Sequence, residues 1–295
     1  MRSEVKVVCK CIFFVLTSLF SVKGKCQNLK PRPKIASILI NQLPSTTDDK
    51  NSLVAHANLR FPLLLKPNIS LFGEVRYRSE SLRNPVPSHD ASFDRVRLRH
   101  YSASLIYKFD IGKKGDLIGN IRVAKQGDRG IAHLDPLLTI SSIYRYKLSK
   151  SVRVGAGFRY QDNFLLPVLF YQHQLNRHLR LSMLLPKEVK LSSMKNNNQL
   201  IYASAALQNA TYDLKTFDFN NEKSTYERLG IAFKVGIEKS LTDWLWVGAY
   251  AGLGVPVKNE ISGGMDALKS IDLGSLTRPI FGVSLFLVPL SSWMR

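Results

Sequence analysis

The sequence predicts an all-β fold: an antiparallel, up-and-down transmembrane β-barrel of about 12–14 strands behind an amino-terminal signal peptide. Three features carry that prediction. Apolar side chains alternate with small or polar ones along most of the chain, the period of two that separates the faces of a strand. Tight turns rich in Asn, Asp, Lys and Gly alternate with mostly longer polar connections, as at the two rims of an outer-membrane barrel. Mean hydropathy is only −0.07 although 45% of residues are hydrophobic. That excludes a bundle of membrane helices but suits a barrel, in which every second residue meets lipid.

Residues 1–24 have the parts of a secretory signal. Arg2, Lys6 and Lys10 supply the positive start, residues 11–20 the apolar core, and Val22 and Gly24 the −3 and −1 positions of a cleavage site. The apolar run is shorter than the ~20 residues a membrane-spanning helix needs. Cleavage removes Cys9 and Cys11 and leaves Cys26 alone, so the mature chain forms no internal disulfide. Lys25 stands where a lipid-modified cysteine needs a small neighbour, so Cys26 reads as a free thiol. Residues 25–295 then form one barrel domain, undivided by any Pro/Ser-rich tract, charge block or low-complexity segment. The full chain carries +20; losing Arg2, Lys6, Lys10, Lys23 and Glu4 leaves 38 basic against 21 acidic residues, or +17.

A weakly patterned strand at 35–41 comes first, then residues 52–65, which turn at Lys66-Pro67-Asn68. The next strand puts Ile69, Leu71, Gly73, Val75 and Tyr77 on one face and Ser70, Phe72, Glu74, Arg76 and Arg78 on the other. After a polar connection, 79–92, a strand opens with Arg95, Arg97 and Arg99 against Val96 and Leu98. It then sets Tyr101, Ala103, Leu105, Tyr107 and Phe109 in the apolar row. That change of phase near His100 predicts a β-bulge. Gly112-Lys113-Lys114-Gly115 returns the chain through Leu117, Gly119, Ile121 and Val123, with Asn120 and Arg122 opposite, to a connection at 125–135.

Residues 138–148 pair across Ser149-Lys150-Ser151 with Val152, Val154, Ala156, Phe158 and Tyr160, whose other face holds Arg153, Gly155, Gly157, Arg159 and Gln161. Segments 164–175 and 179–185 flank Asn176-Arg177-His178, and 189–194 meets 200–212 across residues 195–198. Pro186 falls either in a loop or inside one long irregular strand. Beyond the polar stretch 215–224 comes the clearest hairpin. Leu229, Ile231, Phe233, Val235 and Ile237 oppose Arg228, Gly230, Ala232, Lys234, Gly236 and Glu238, and after residues 239–243 the apolar row resumes from Leu245 to Val255. A connection at 258–274 leads to a final strand with Phe281, Val283, Leu285 and Leu287 on one face. Counted from Ile35 this gives 14 strands with both ends at one rim, or 12 if the first strand and the Pro186 region are read differently. Tyr77, Tyr107 and Tyr160 close the lipid-facing rows as girdle residues do, since tyrosine suits the headgroup boundary.

The signal peptide, alternating strands, tight turns and closing apolar strand resemble the uncharacterised outer-membrane β-barrel proteins of Bacteroidetes, over nearly the whole mature chain. The resemblance implies a barrel in the bacterial outer membrane, in contact with membrane lipid and lipopolysaccharide, inserted by the barrel assembly machinery and carrying no reaction. Many such barrels end on an aromatic residue read during assembly. This chain ends Ser291-Ser292-Trp293-Met294-Arg295, with Trp293 two residues early.

The polar faces are mainly basic: Arg76, Arg78, Arg95, Arg97, Arg99, Arg122, Arg153, Arg159, Arg180, Lys190, Arg228 and Lys234, against chiefly Glu74 and Glu238. Facing a lumen, these residues predict a passive pore or small-solute conduit that favours anions, because charge in a narrow low-dielectric channel concentrates counter-ions. Two other arrangements fit the same residues. Arginines near strand ends can snorkel to phosphates of the outer leaflet, or Arg76 and Arg78 can pair with Glu74 and Glu238 in a filled, non-conducting interior. The sequence points to no enzyme: the best acid/base pair is His133 and Asp135 in a loop, and the other histidines are scattered. It also points to no cofactor and no metal site, since no Gly-rich phosphate loop or metal-spaced cluster occurs. Nucleic acid is excluded despite a pI near 10.0, because the basic residues interleave with a lipid-like face. A soluble secreted β-sandwich is the alternative fold.

Overall fold

The computed structural model describes residues 34–43, 52–83, 95–128, 136–161, 163–195, 198–214, 224–263, 271–272 and 277–288. Its strands are β1 (Ala36–Leu43), β2 (Ser52–Lys66), β3 (Ile69–Arg83), β4 (Arg95–Ile111), β5 (Gly115–Gly127), β6 (Leu137–Lys147), β7 (Val152–Gln161) and β8 (Phe164–Gln174). There follow β9 (Leu179–Leu185), β10 (Glu188–Lys195), β11 (Gln199–Leu214), β12 (Ser224–Ser240), β13 (Leu245–Gly263), the two-residue β14 (Ile271–Asp272) and β15 (Arg278–Leu287). Each long strand pairs antiparallel with its sequence neighbours, and β1 pairs with β15. β14 adds only to the edge of β13, so fourteen strands close an up-and-down barrel. The signal peptide, Cys26 and Trp293 lie outside the described residues.

The two faces separate as the alternation requires. Ile38, Ile40, Leu59, Val75, Tyr77, Leu105, Ile121, Val123, Phe158, Phe233, Ile237 and Val283 are exposed, and the register sets them in outward rows. An apolar band this extensive around a closed barrel is the lipid face of a transmembrane β-barrel. The even strand number, and the common rim of the start of β1 and the end of β15, make the architecture that of bacterial outer-membrane barrels. Between these residues sit Glu74, Arg76, Arg78 and Glu80 of β3 with Ser104, Ser102, His100 and Leu98 opposite them on β4. Their direction is fixed by contacts that bypass neighbouring strands. Arg228 of β12 reaches Glu80 of β3, and Tyr250 Oη of β13 donates to Asn41 Oδ1 of β1 at 2.5 Å. Only the barrel interior connects such residues.

Strand height varies around the wall. β2, β3 and β4 have 15, 15 and 17 residues, and β11, β12 and β13 have 16, 17 and 19. β6, β7 and β8 have 11, 10 and 11, and β9 and β10 only 7 and 8. All share the tight-turn rim, so the difference appears at the other, loop rim. There β5 and β11 lean over the short strands and meet in a parallel contact, Asp213 opposite Gly127. The loop end of the wall is thereby drawn into a narrower ring from β11 round to β5, leaving β6–β10 as a low sector at one side. Within that ring β15 and β1 have 10 and 8 residues, but β1 still reaches the rim at Leu43 opposite Ser52.

The bulge predicted near His100 is absent, because β4 pairs with β3 and β5 in unbroken register. The register shifts fall instead between Pro62 and Leu64 of β2, and opposite Leu229/Gly230, where β13 steps past Val257. Pro186 sits in the tight connection between β9 and β10.

Candidate functional site

The tall sector is packed at its loop end. Val54, Leu98, Tyr212, Leu214 and Tyr226 from the four strands β2, β4, β11 and β12 are at most 2% exposed, and Val54 and Leu98 stand on either side of Glu80 of β3, itself 1% exposed. A lone buried carboxylate is expensive to desolvate. Here Glu80 accepts from Arg78 Nη2 at 2.7 Å and from both terminal nitrogens of Arg228, Nη2 at 3.2 Å. Tyr212 and Tyr226 stack beside it with ring centroids 6.1 Å apart. Side chains of the wall thus fill this part of the interior. At the turn rim of the same sector Trp246, Phe286 and Val288 are buried together, and Lys34 lies 3.6 Å from the Phe286 ring centre while bonding Glu238 at 2.8 Å.

The middle of the barrel is built differently. Buried Glu74 accepts a hydrogen bond from Arg60 Nη2 at 2.6 Å and forms an ion pair with Arg76 Nη2, also at 2.6 Å. Arg122 Nε donates to neutral Ser104 Oγ at 3.2 Å, and Arg159 Nη2 to neutral Gln161 Oε1 at 2.5 Å. Lys187, in the β9–β10 turn, is solvent-exposed, yet Arg159, Arg76, Arg122 and Glu188 all lie within its electrostatic reach. Its ammonium is thus turned toward inward residues of β3, β5 and β7 while part of the residue stays exposed. Toward the turn rim, Arg145 binds Asp116 through two bonds of 2.6 and 2.7 Å, while exposed Arg153 and half-buried Arg180 lie within electrostatic reach of each other. Basic residues therefore line the low sector from its middle to its turn rim.

The register puts Arg76, Arg78, Arg122, Arg153, Arg159, Arg228 and Lys234, with Glu74 and Glu238, in inward rows. They do not form one group. Arg78 and Arg228 bond Glu80, Lys234 covers the Tyr250 ring at 4.7 Å, and Arg76 and Arg159 lie within electrostatic reach of Arg122. Arg97 and Arg99 correct the expectation. They stand opposite Ser81 and Ser79 in the outward row that continues through Tyr101, because the strand never changes phase. Tyr101 packs on Tyr77 at 5.1 Å, which sets the two arginines at the loop-rim edge of the lipid face. Arg95, at the first position of β4, pairs with Arg83. His133 and Asp135 lie outside the described residues.

Arg60, Glu80, Lys187 and the Arg145–Asp116 pair are absent from the sequence-derived set. For Glu80 the signal existed, since it continues the inward period of Glu74, Arg76 and Arg78 past Ser79.

No protein-family model matches the chain, and no curated protein is similar to it. Solved structures similar to it include outer membrane phospholipase A from Escherichia coli, at 13% identity and TM-score 0.41, covering 88% of this chain and 98% of that one. The phospholipase dimer of Salmonella typhi with bound calcium matches at 13% identity and TM-score 0.41 over 89% and 94% of the two chains. The KdgM porin matches at 8% identity and TM-score 0.37 over 84% and 97%.

Proposed function

We propose that this protein is an outer-membrane conduit for small anionic solutes. The observation that carries the reading is the enclosed group Arg76, Arg122, Arg159 and Lys187. The carboxylates nearby are Glu74, already bonded by Arg60 and Arg76, and Glu188, so positive charge predominates. In a narrow space with low-dielectric walls such an excess concentrates anions and repels cations. The tight turns then face the periplasm and the longer connections the outside. The reading includes no chemical step.

A second reading, a non-conducting structural or surface-interaction barrel, is favoured by the packed layer around Glu80, which fills the tall sector near the loop rim. Reconstitution of the mature chain in a planar bilayer separates the two. The conduit predicts unitary currents whose reversal potential in a KCl gradient shows chloride preferred, with the preference reduced in Arg122→Gln/Arg159→Gln. A potassium-preferring current overturns it, and insertion without current supports the structural barrel.

A further inference from the structure

We infer that the low sector has a lateral port above the β9–β10 hairpin, through which a membrane-borne amphiphile with an anionic head and an apolar tail reaches the basic lumen. This rests on the anion conduit proposed above and names its substrate class.

Strand height is the first ground. The seven residues of β9 extend about 23 Å at ~3.3 Å per residue, and a tilt near 40° leaves roughly 18 Å of height. An outer-membrane barrel presents an apolar band about 25 Å tall. The hairpin tip at Pro186 and Lys187 therefore lies at membrane depth, below the top of the band. Beside it the wall continues on both sides. β8 rises past Leu169, its last position paired with β9, to Phe164. β11 rises past Ala206, its last position paired with β10, to Leu214. Among the described residues no strand joins these two edges until β11 meets β5 at Asp213 and Gly127. Open strand edges are not tolerated against hydrocarbon, because each unmet backbone group costs several kcal/mol, but they are tolerated where they border a wet cavity.

The chemistry of the border is the second ground. On β8 both faces are open: Phe164 and Leu166 belong to inward rows yet are 70% and 44% exposed, and outward Leu165 is 68% exposed. Inward apolar residues of the tall sector at the same rim are buried. Leu185 on the hairpin and Leu207 on β11 complete an exposed apolar frame. Just inside it stand Lys187, Arg159 and Arg122. An alkyl chain resting on the frame sets its head group among these cations, and Arg153 and Arg180 extend the positive path toward the turn rim. A neutral lipid gains nothing from the cations, and a free anion gains nothing from the frame.

The probe is dodecyl phosphate with a diazirine at its tail end, irradiated with the full mature chain refolded in phosphatidylcholine vesicles; the control carries the same tail on a maltoside head. The port predicts labelling at residues 164–168 and 207–214 about tenfold above the control, competed by unlabelled dodecyl phosphate but not by equimolar inorganic phosphate. In Arg159→Gln/Lys187→Gln the excess falls to the control level. Equal labelling by both probes, labelling spread evenly around the lipid face, or an excess unchanged in the variant overturns the port. Reversal potential on the same preparation keeps the two readings apart. Chloride preference without the labelling excess leaves the conduit standing and removes the port, whereas loss of both removes both.

Discussion

The tall and low sectors of this barrel draw on the same inward residue types and use them to opposite effect. Around Glu80 in the tall sector, two arginines, two tyrosines and three aliphatic side chains close over one carboxylate until almost none of it meets water. Around Lys187 in the low sector, cations outnumber carboxylates, glycines stand at Gly155 and Gly157, and apolar residues at the strand tips stay exposed. Strand length produces the difference. Where the strands are long, their ends converge through β5 and β11 and pack on one another; where they are short, no described strand of that wall reaches far enough to cover the basic residues. An arginine on an inward row is structural in one sector and available to a solute in the other.

Substitutions that strip the same kind of group from each sector test this contrast. The largest effect is expected in the tall sector. Arg228→Met leaves buried Glu80 with Arg78 as its one bonded cation among the described residues and should destabilise the barrel by about 3–5 kcal/mol, read as a lower urea midpoint for unfolding from vesicles. Leu98→Ala should cost about 2–5 kcal/mol in the same assay, since it empties volume in a layer with no room to relax. Outside the barrel, Arg97→Ala/Arg99→Ala should weaken retention of lipopolysaccharide during purification by about 1 kcal/mol per arginine without changing ion selectivity. An altered selectivity would mean those side chains turn inward after all. The smallest stability effect belongs to Arg159→Gln, about 0–1 kcal/mol because its bond to Gln161 is local and made to a neutral group, although chloride preference should fall. A loss as large as that of Arg228→Met would erase the distinction between the sectors.

Most of the wall was legible in the sequence, because period-two alternation persists wherever one face meets lipid. The rows of the Leu229–Val255 hairpin, the tight turns and the count of fourteen strands all follow from it. Legibility failed above the apolar band, where the environments of the two faces exchange. At Arg97, Leu98 and Arg99 the polar residues face outward to headgroups and the leucine faces inward to a packed core, so an unbroken strand looks like one that has slipped by a residue. For the same reason the strand ends holding Glu80, Gln126 and Glu260 resembled polar connections. The basic lumen was half legible. The inward row of each arginine could be read, but whether Glu80 or open water waits opposite depends on contacts across the barrel and on strand heights.

The division of the interior into a packed and a wet sector is tested most directly by cysteine accessibility in residues 25–295 with Cys26→Ser. Single cysteines at Leu98 and Tyr212 in the tall sector, and at Arg159 and Leu166 in the low one, are exposed to a membrane-impermeant charged methanethiosulfonate on the folded protein in vesicles. The low-sector thiols should react about a hundredfold faster or more, since the tall-sector ones become accessible only through local opening. Equal rates at the four positions would contradict the account.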